Sequence, residues 1–409
     1  MRVARTWPLI SALTVAAIVA AGCGTQTHPQ VSKSTRSVVA STATNAAEGR
    51  VLTTIDVGTS AGMAAYDPVS GYIYVPVADG IAVIDGYTNR LIRILKGVSG
   101  NESGYDPGTG RIYDVNFYGS TLTWINRFKA SVGPNLSNAD LVNLPTYDPE
   151  NKNLYFPFGN GGDQGLVAVD PASGPTSHMD TVTIQVSACA WDGFNTAYDS
   201  RTGYLFAPMG TDGAGQAAVA VIDPSSGQVV SVVASTQTGG CAQVAYYDPV
   251  DGNIYVEGDG NVFVLNGVTG RFMRSIVTSL SDFYRMPLAF DLKTGDVYIV
   301  NPGNQGGGNS LFSSSSSGSV SVISPTQGKQ ASPVQVGKNP FWAAYDPKDD
   351  CIYVSNYTSG TVSVISGATN RLVATVRVGR QPECVLYDPA NGDMYVVNSG
   401  SGTVTVLSS

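Results

Sequence analysis

Histidine is nearly missing from this 409-residue chain, which holds only His28 and His178. A histidine-rich metal centre is thereby excluded, and a Ser-His-Asp triad would have to use His178, which precedes an outer strand of its repeat. Charge is scarce as well. Only 13% of residues are Asp, Glu, Lys or Arg, the formal balance is −8, and loss of a leader containing Arg2 and Arg5 makes it two charges more negative. That balance argues against nucleic-acid binding through a general basic surface. The five cysteines include no CxxC pair, which argues against zinc. The apolar run 8–21 is too short and too promptly ended for a membrane span.

Turn and aromatic chemistry is abundant instead. With 47 Gly and 21 Tyr, the composition suits short strands joined by many turns. Eight times an aromatic residue and an aspartate open a tight turn: Tyr66-Asp67, Tyr105-Asp106, Tyr147-Asp148, Tyr198-Asp199, Tyr247-Asp248, Phe290-Asp291, Tyr345-Asp346 and Tyr387-Asp388. In six of them Pro follows, and Gly usually comes three positions later, as in Asp67-Pro68-Val69-Ser70-Gly71. Asp accepts turn amides, Pro presets φ, and Gly takes the left-handed conformation before the return strand. The pairs are 39, 42, 51, 49, 43, 55 and 42 residues apart, the period of four-stranded propeller blades.

The seventh unit predicts strands at 341–345, 351–355, 361–365 and 372–378. Residues 51–58 have no first three strands before them, yet align without a gap on the fourth strand 372–379. The chain stops after 402–407, which matches the third strand 360–365. The leftover first strand is therefore predicted to complete the last blade, giving an all-β, eight-bladed propeller of four-stranded blades. The irregular stretch 128–144 keeps seven blades as an alternative. Small residues such as Ala64, Ala65, Ala343 and Ala344 suit first strands converging on an axis, and the turn tyrosines are expected to pack between blades.

The N-terminus reads as an export signal. Arg2 and Arg5 precede the apolar run, and Ala20-Ala21-Gly22-Cys23 resembles the lipobox of bacterial lipoproteins, with Ala20 where Leu is usual. The resemblance implies lipidation at Cys23 and an extracytoplasmic protein, anchored at the cell surface or in the periplasm through lipid alone. The expected division is a signal peptide at 1–22, a tether at 23–50 and the propeller at 51–409. An oxidising compartment favours disulfides, and position in the repeats predicts Cys189–Cys241 and Cys351–Cys384.

The repeat itself resembles the YVTN-type β-propeller family of surface-layer and exported proteins. The resemblance spans roughly 51 to 409. It is carried by Tyr345-Asp346-Pro347, Ile352-Tyr353-Val354-Ser355-Asn356, the run 360–365, Thr369-Asn370-Arg371-Leu372 and Val378-Gly379. It implies export and a binding surface more than a reaction. The binding face is expected where loops enter first strands. There the ligand-binding candidates are Asn101, Asn143, Trp191, Asp192, Gln243, Arg285, Asn339, Trp342, Arg380 and Glu383. The leading reading is a monomeric scaffold, without cofactor, for an envelope or extracellular protein, peptide or glycan. The runner-up is a lactonase-like, metal-assisted hydrolase with Glu383, Asn339, Asn143 and Asp192 supplying oxygens at the channel mouth. Quinoprotein dehydrogenases are a poorer match, since Trp docking residues and adjacent cysteines are absent. The long loop 301–319 reads as a solvated insertion on the same face.

Overall fold

The Tyr-Asp turn is built alike at all eight positions. In each, aspartate Oδ1 accepts the N–H two residues on at 2.8–2.9 Å, from Val69 on Asp67 to Ala390 on Asp388. Four residues past the aspartate the backbone turns left-handed. Gly does this at 71, 110, 203, 252, 295 and 392, but Lys152 and Asp350 do it in units three and seven, at φ 64° and 58°. A side chain there costs about 1 kcal/mol, which the hairpin and its neighbours offset.

The computed structural model describes residues 49–98, 100–116, 121–135, 144–160, 163–172, 180–184, 195–211, 216–238, 242–258, 261–277, 288–302, 317–325 and 329–409. Among them the strands form eight consecutive four-stranded antiparallel units, at 65–96, 102–135, 146–184, 197–238, 242–277, 288–338, 340–377 and 382–407. In unit seven the strands are Pro340–Asp346, Cys351–Asn356, Thr361–Ser366 and Arg371–Arg377, within a residue of the sequence expectation. Unit six splits its outer strand into Lys329–Gln330 and Val334–Lys338. Units four and five touch in one sheet through the single pair Gly210↔Ala242. The last unit takes its fourth strand from the start of the chain. Val51–Asp56 runs antiparallel to Thr403–Leu407, with Ile55 opposite Val404 and Asp56 opposite Thr403.

Successive units are joined by apolar seams, eight of them among the described residues. A tyrosine in the second strand fills most of them: Tyr74, Tyr113, Tyr155, Tyr255, Tyr298, Tyr353 and Tyr395 are fully buried. Each such ring contributes about 1.5–3 kcal/mol by leaving water. Several of the hydroxyls also reach the following unit. Tyr74 donates to the Arg127 carbonyl at 3.2 Å and Tyr155 to that of Pro224 at 3.3 Å. Across the chain's two ends, Tyr395 donates to the Gly86 carbonyl at 3.0 Å. The seam there also gathers Ile55, Tyr66, Leu386 and Val404, so the units close into a ring.

The turn tyrosines do pack between units, and they face the aspartate of the unit before. Tyr66 lies beside Asp388, Tyr105 beside Asp67, Tyr147 beside Asp106, Tyr198 beside Asp148, Tyr247 beside Asp199, Tyr345 beside Asp291 and Tyr387 beside Asp346. Burial first, and then the neighbouring carboxylates, hold these phenols above their ordinary range. The eighth place holds Phe290, so Asp248 has no phenol opposite it.

One expected bridge is corrected. Cys351 keeps a buried thiol, so the Cys351–Cys384 disulfide does not form. The two residues are in neighbouring units but at different heights. Cys384 follows Glu383, whose carbonyl accepts Ser355 Oγ, and Ser355 lies four residues along the strand from Cys351. Four strand residues span about 13 Å, beyond the roughly 7 Å that a disulfide can bridge. Cys189, Cys241 and Cys23 lie outside the described residues.

Candidate functional site

First strands form the inner wall. They meet across units in the parallel bridges Met63↔Glu102 and Asn195↔Val244, whereas the fourth strands carry exposed side chains. At the end of this wall away from the Tyr-Asp turns, three first strands among the described residues contain a bulge. Gln243 in unit five, Phe341 in unit seven and Glu383 in unit eight are the extra residues, each skipped between two paired neighbours. A bulged residue leaves the ladder and its side chain is re-aimed. Unit two has no bulge there, since Glu102 and Ser103 pair in order with Val115 and Asp114.

The rim around Phe341 and Glu383 is rigid because the same lacing recurs in both units. The entering-loop residues Asn339 and Gln381 are left-handed, at φ 49° and 52°. Their carbonyls accept the amides of Tyr357 and Ser399, at 2.8 and 3.0 Å. One residue earlier, the amides of Lys338 and Arg380 donate to the hydroxyls of Ser359 and Ser401, at 2.6 and 3.1 Å. Buried Asn398 completes the frame, taking the Gly379 amide on Oδ1 at 3.1 Å and donating to Thr405 Oγ1 at 3.0 Å. A side chain at Gly379 would collide with it, the added Cβ falling 2.6 Å from Asn398 Cβ. This close approach accounts for the Val-Gly that ends the repeat.

On that frame the bulged residues meet equivalent partners. Phe341 packs on Tyr357, ring centroids 5.8 Å apart, while Ser399 donates to Glu383 Oε1 at 2.7 Å. Ser355 ties the two units together. Its hydroxyl accepts the Trp342 amide at 3.0 Å and donates to the Glu383 carbonyl at 3.3 Å. Trp342 itself packs against the seams on both sides of unit eight. Burial pushes the Glu383 carboxyl above its ordinary range, against the pull of the Ser399 bond. Burial, and then the charge of Glu383, push the Tyr357 phenol up to about 12.

Of the ten sequence candidates, Asn339, Trp342, Arg380 and Glu383 thus belong to one rim, on units seven and eight. Arg380 is exposed; Asn339 is buried and serves the frame rather than the surface. Asn101 and Gln243 stand apart, on units two and five, both half-buried, and the Asn101 amide donates to Val115 at 2.8 Å. Asn143, Trp191, Asp192 and Arg285 lie outside the described residues, as does 303–316 of the long loop. Sequence reading missed Tyr357 and Ser399, although each directly follows the asparagine that ends a second strand, Asn356 or Asn398. Among the described residues no three His, Cys, Asp or Glu side chains converge as a metal site would require.

No family model and no curated protein matches the sequence. In shape the chain is similar to Sqt1 of Saccharomyces cerevisiae, with a TM-score of 0.66 at 10% identity, covering 88% of this chain and 99% of that one. It is likewise similar to the Dos1 propeller, with a TM-score of 0.64 at 13% identity, covering 88% of this chain and 95% of that one. The fold is a β-propeller. Its units are blades, with first strands inside and fourth strands outside, and the rim of blades seven and eight lies at one mouth of the ring. At these identities the likeness concerns the fold alone, and the YVTN-type resemblance rests on the repeat motifs.

Proposed function

We propose that the protein is an interaction scaffold, an eight-bladed propeller that presents the rim of blades seven and eight to a protein partner. The observation that carries this reading is the pair of bulges that re-aim Phe341 and Glu383 on a frame whose loops are tied down through the amides of Gly379, Arg380 and Lys338 and the carbonyls of Gln381 and Asn339. Stable interfaces centre on aromatic anchors held in fixed geometry, with charges around them. Phe341, Trp342 and Tyr357 are such anchors, and Lys338, Arg380 and Glu383 surround them. A rigid rim binds without the entropy cost of ordering loops.

The remaining elements of the reading come from the sequence. The chain is exported, lipidated at Cys23 and held outside the cytoplasm, with 23–50 as tether and 51–409 as propeller. Affinity capture from envelope extract tests the scaffold directly. Intact protein is expected to recover a discrete partner that a Phe341→Ala, Glu383→Gln double variant loses and a Val69→Ser variant, altered on the opposite face, retains. Recovery of the same proteins by all three would sink the assignment of this rim.

A further inference from the structure

The outer strands of the blades repeat a device of their own. A left-handed residue is followed by arginine and then by two exposed apolar residues: Gly49-Arg50-Val51-Leu52, Asn89-Arg90-Leu91-Ile92, Gly270-Arg271-Phe272-Met273 and Asn370-Arg371-Leu372-Val373. Phe272 alone in these pairs is half-buried. Outer strands leave one row of backbone N–H and C=O groups unpaired, and natural sheets blunt such edges with charge so that other chains do not add to them. Here arginine supplies the charge, reinforced by Arg93 and Lys96, Arg274 or Arg377 further along the strands.

Blade four departs from the pattern. Its outer strand begins Gly227-Gln228-Val229-Val230, with Gly227 left-handed at φ 66° and glutamine where those four strands have arginine. The strand Gln228–Thr238 has 11 residues, against 5–7 for the other unbroken outer strands, and contains no charged residue at all. Every other described outer strand contains at least one. Val229, Val230 and Val232 are 39%, 50% and 50% exposed along it. The strand ends its sheet, pairing on one side with Gln216–Asp223, and among the described residues no strand pairs with its other side.

We propose that this edge is a strand-addition surface through which two copies of the chain pair, Gln228–Thr238 of one running antiparallel to the same strand of the other. A two-fold axis makes a surface its own partner, so the surface must tolerate itself. The arginine-bearing edges would set like charges against each other in such a pairing, whereas the uncharged strand meets its copy without repulsion and lays its valines on theirs. One strand pair buries less than the roughly 1,200 Å² of a stable standard interface, so the association is weak and concentration-dependent. The proposal departs from the monomer expected from sequence, and it is independent of the rim at the channel mouth.

The test is sedimentation equilibrium of the full chain in density-matched detergent micelles over a wide concentration range. The wild type is expected to show a reversible monomer–dimer equilibrium. Gln228→Arg, which introduces the arginine of the four strands above, is expected to weaken it at least tenfold or so, and Val230→Lys to abolish it. Leu372→Lys, at the place on blade seven that corresponds to Val229, should leave it unchanged. All three sites are exposed, so unchanged thermal midpoints are expected to show that every variant folds. A wild type that stays monomeric throughout overturns the proposal, as does a dimer that survives Gln228→Arg and Val230→Lys or responds equally to Leu372→Lys.

Discussion

Replacing Phe290 by tyrosine should stabilise this protein, and more so at alkaline pH. In seven places around the ring a phenol faces the turn aspartate of the preceding blade, and Phe290 is the exception. The aspartate left without one is Asp248. It is fully buried, its Oδ1 takes the Val250 amide at 2.8 Å, and its Oδ2 has no hydrogen-bond partner. Asp251 offers it no donor, since that carboxylate is itself occupied by Asn253 and Tyr255. Burial first, and then Asp251, hold Asp248 up at about 7. A carboxyl raised in the folded state contributes stability that is intact below the ordinary carboxylate range and is lost as pH rises through about 7.

A hydroxyl added at Phe290 would donate to the ionised form. Hydrogen bonds to charged groups contribute about 1.5–3 kcal/mol, of which about 1–2 should remain after the ring adjusts. That corresponds to a midpoint shift of about 2–4 °C at pH 8 and a smaller one at pH 5, where Asp248 is already protonated. Thermal denaturation followed by circular dichroism at both pH values is the assay. A gain that is equal at the two pH values, or no gain at pH 8, would refute the role given to the missing phenol.

Asp114→Asn should behave similarly by another route: Asp114 is buried with one oxygen bonded by Ser103 at 3.1 Å and one unpartnered, and burial pushes it to about 7. The amide removes the buried charge, so the midpoint is expected to rise by a few degrees at pH 8 and barely move at pH 4–5, as parallel melts would show. Ile55→Ala should cost about 2–4 kcal/mol in denaturant titrations, because Ile55 is buried in the closing seam; an unchanged midpoint would mean that the N-terminal strand does not hold the ring. Cys23→Ser should release the protein from membranes on fractionation, and continued retention would refute lipidation.

The parts of the fold legible in the sequence were those written in local chemistry or in bookkeeping of strands. The Asp turn is a contact between residues two apart, so its eight copies could be read directly, and the unpaired strand at Val51 declared its partner by matching 372–379. Heights between blades were not legible, which is why Cys351 was paired with a residue about four strand positions away. The bulges were equally hidden, because whether Phe341 and Glu383 stay in the ladder is settled by the lacing of Asn339, Gln381 and their loop partners. Phe290 was visible as the one Phe-Asp among seven Tyr-Asp pairs. Its meaning was not, since the carboxyl it fails to meet belongs to another blade.

The central claim, that the rim of blades seven and eight is the binding face, is tested most directly by a photo-crosslinking amino acid placed at position 341 in living cells, with position 69 on the opposite face as reference. The account predicts a discrete protein adduct from position 341 that is absent from position 69. No adduct at 341, or the same adducts from both positions, would contradict it.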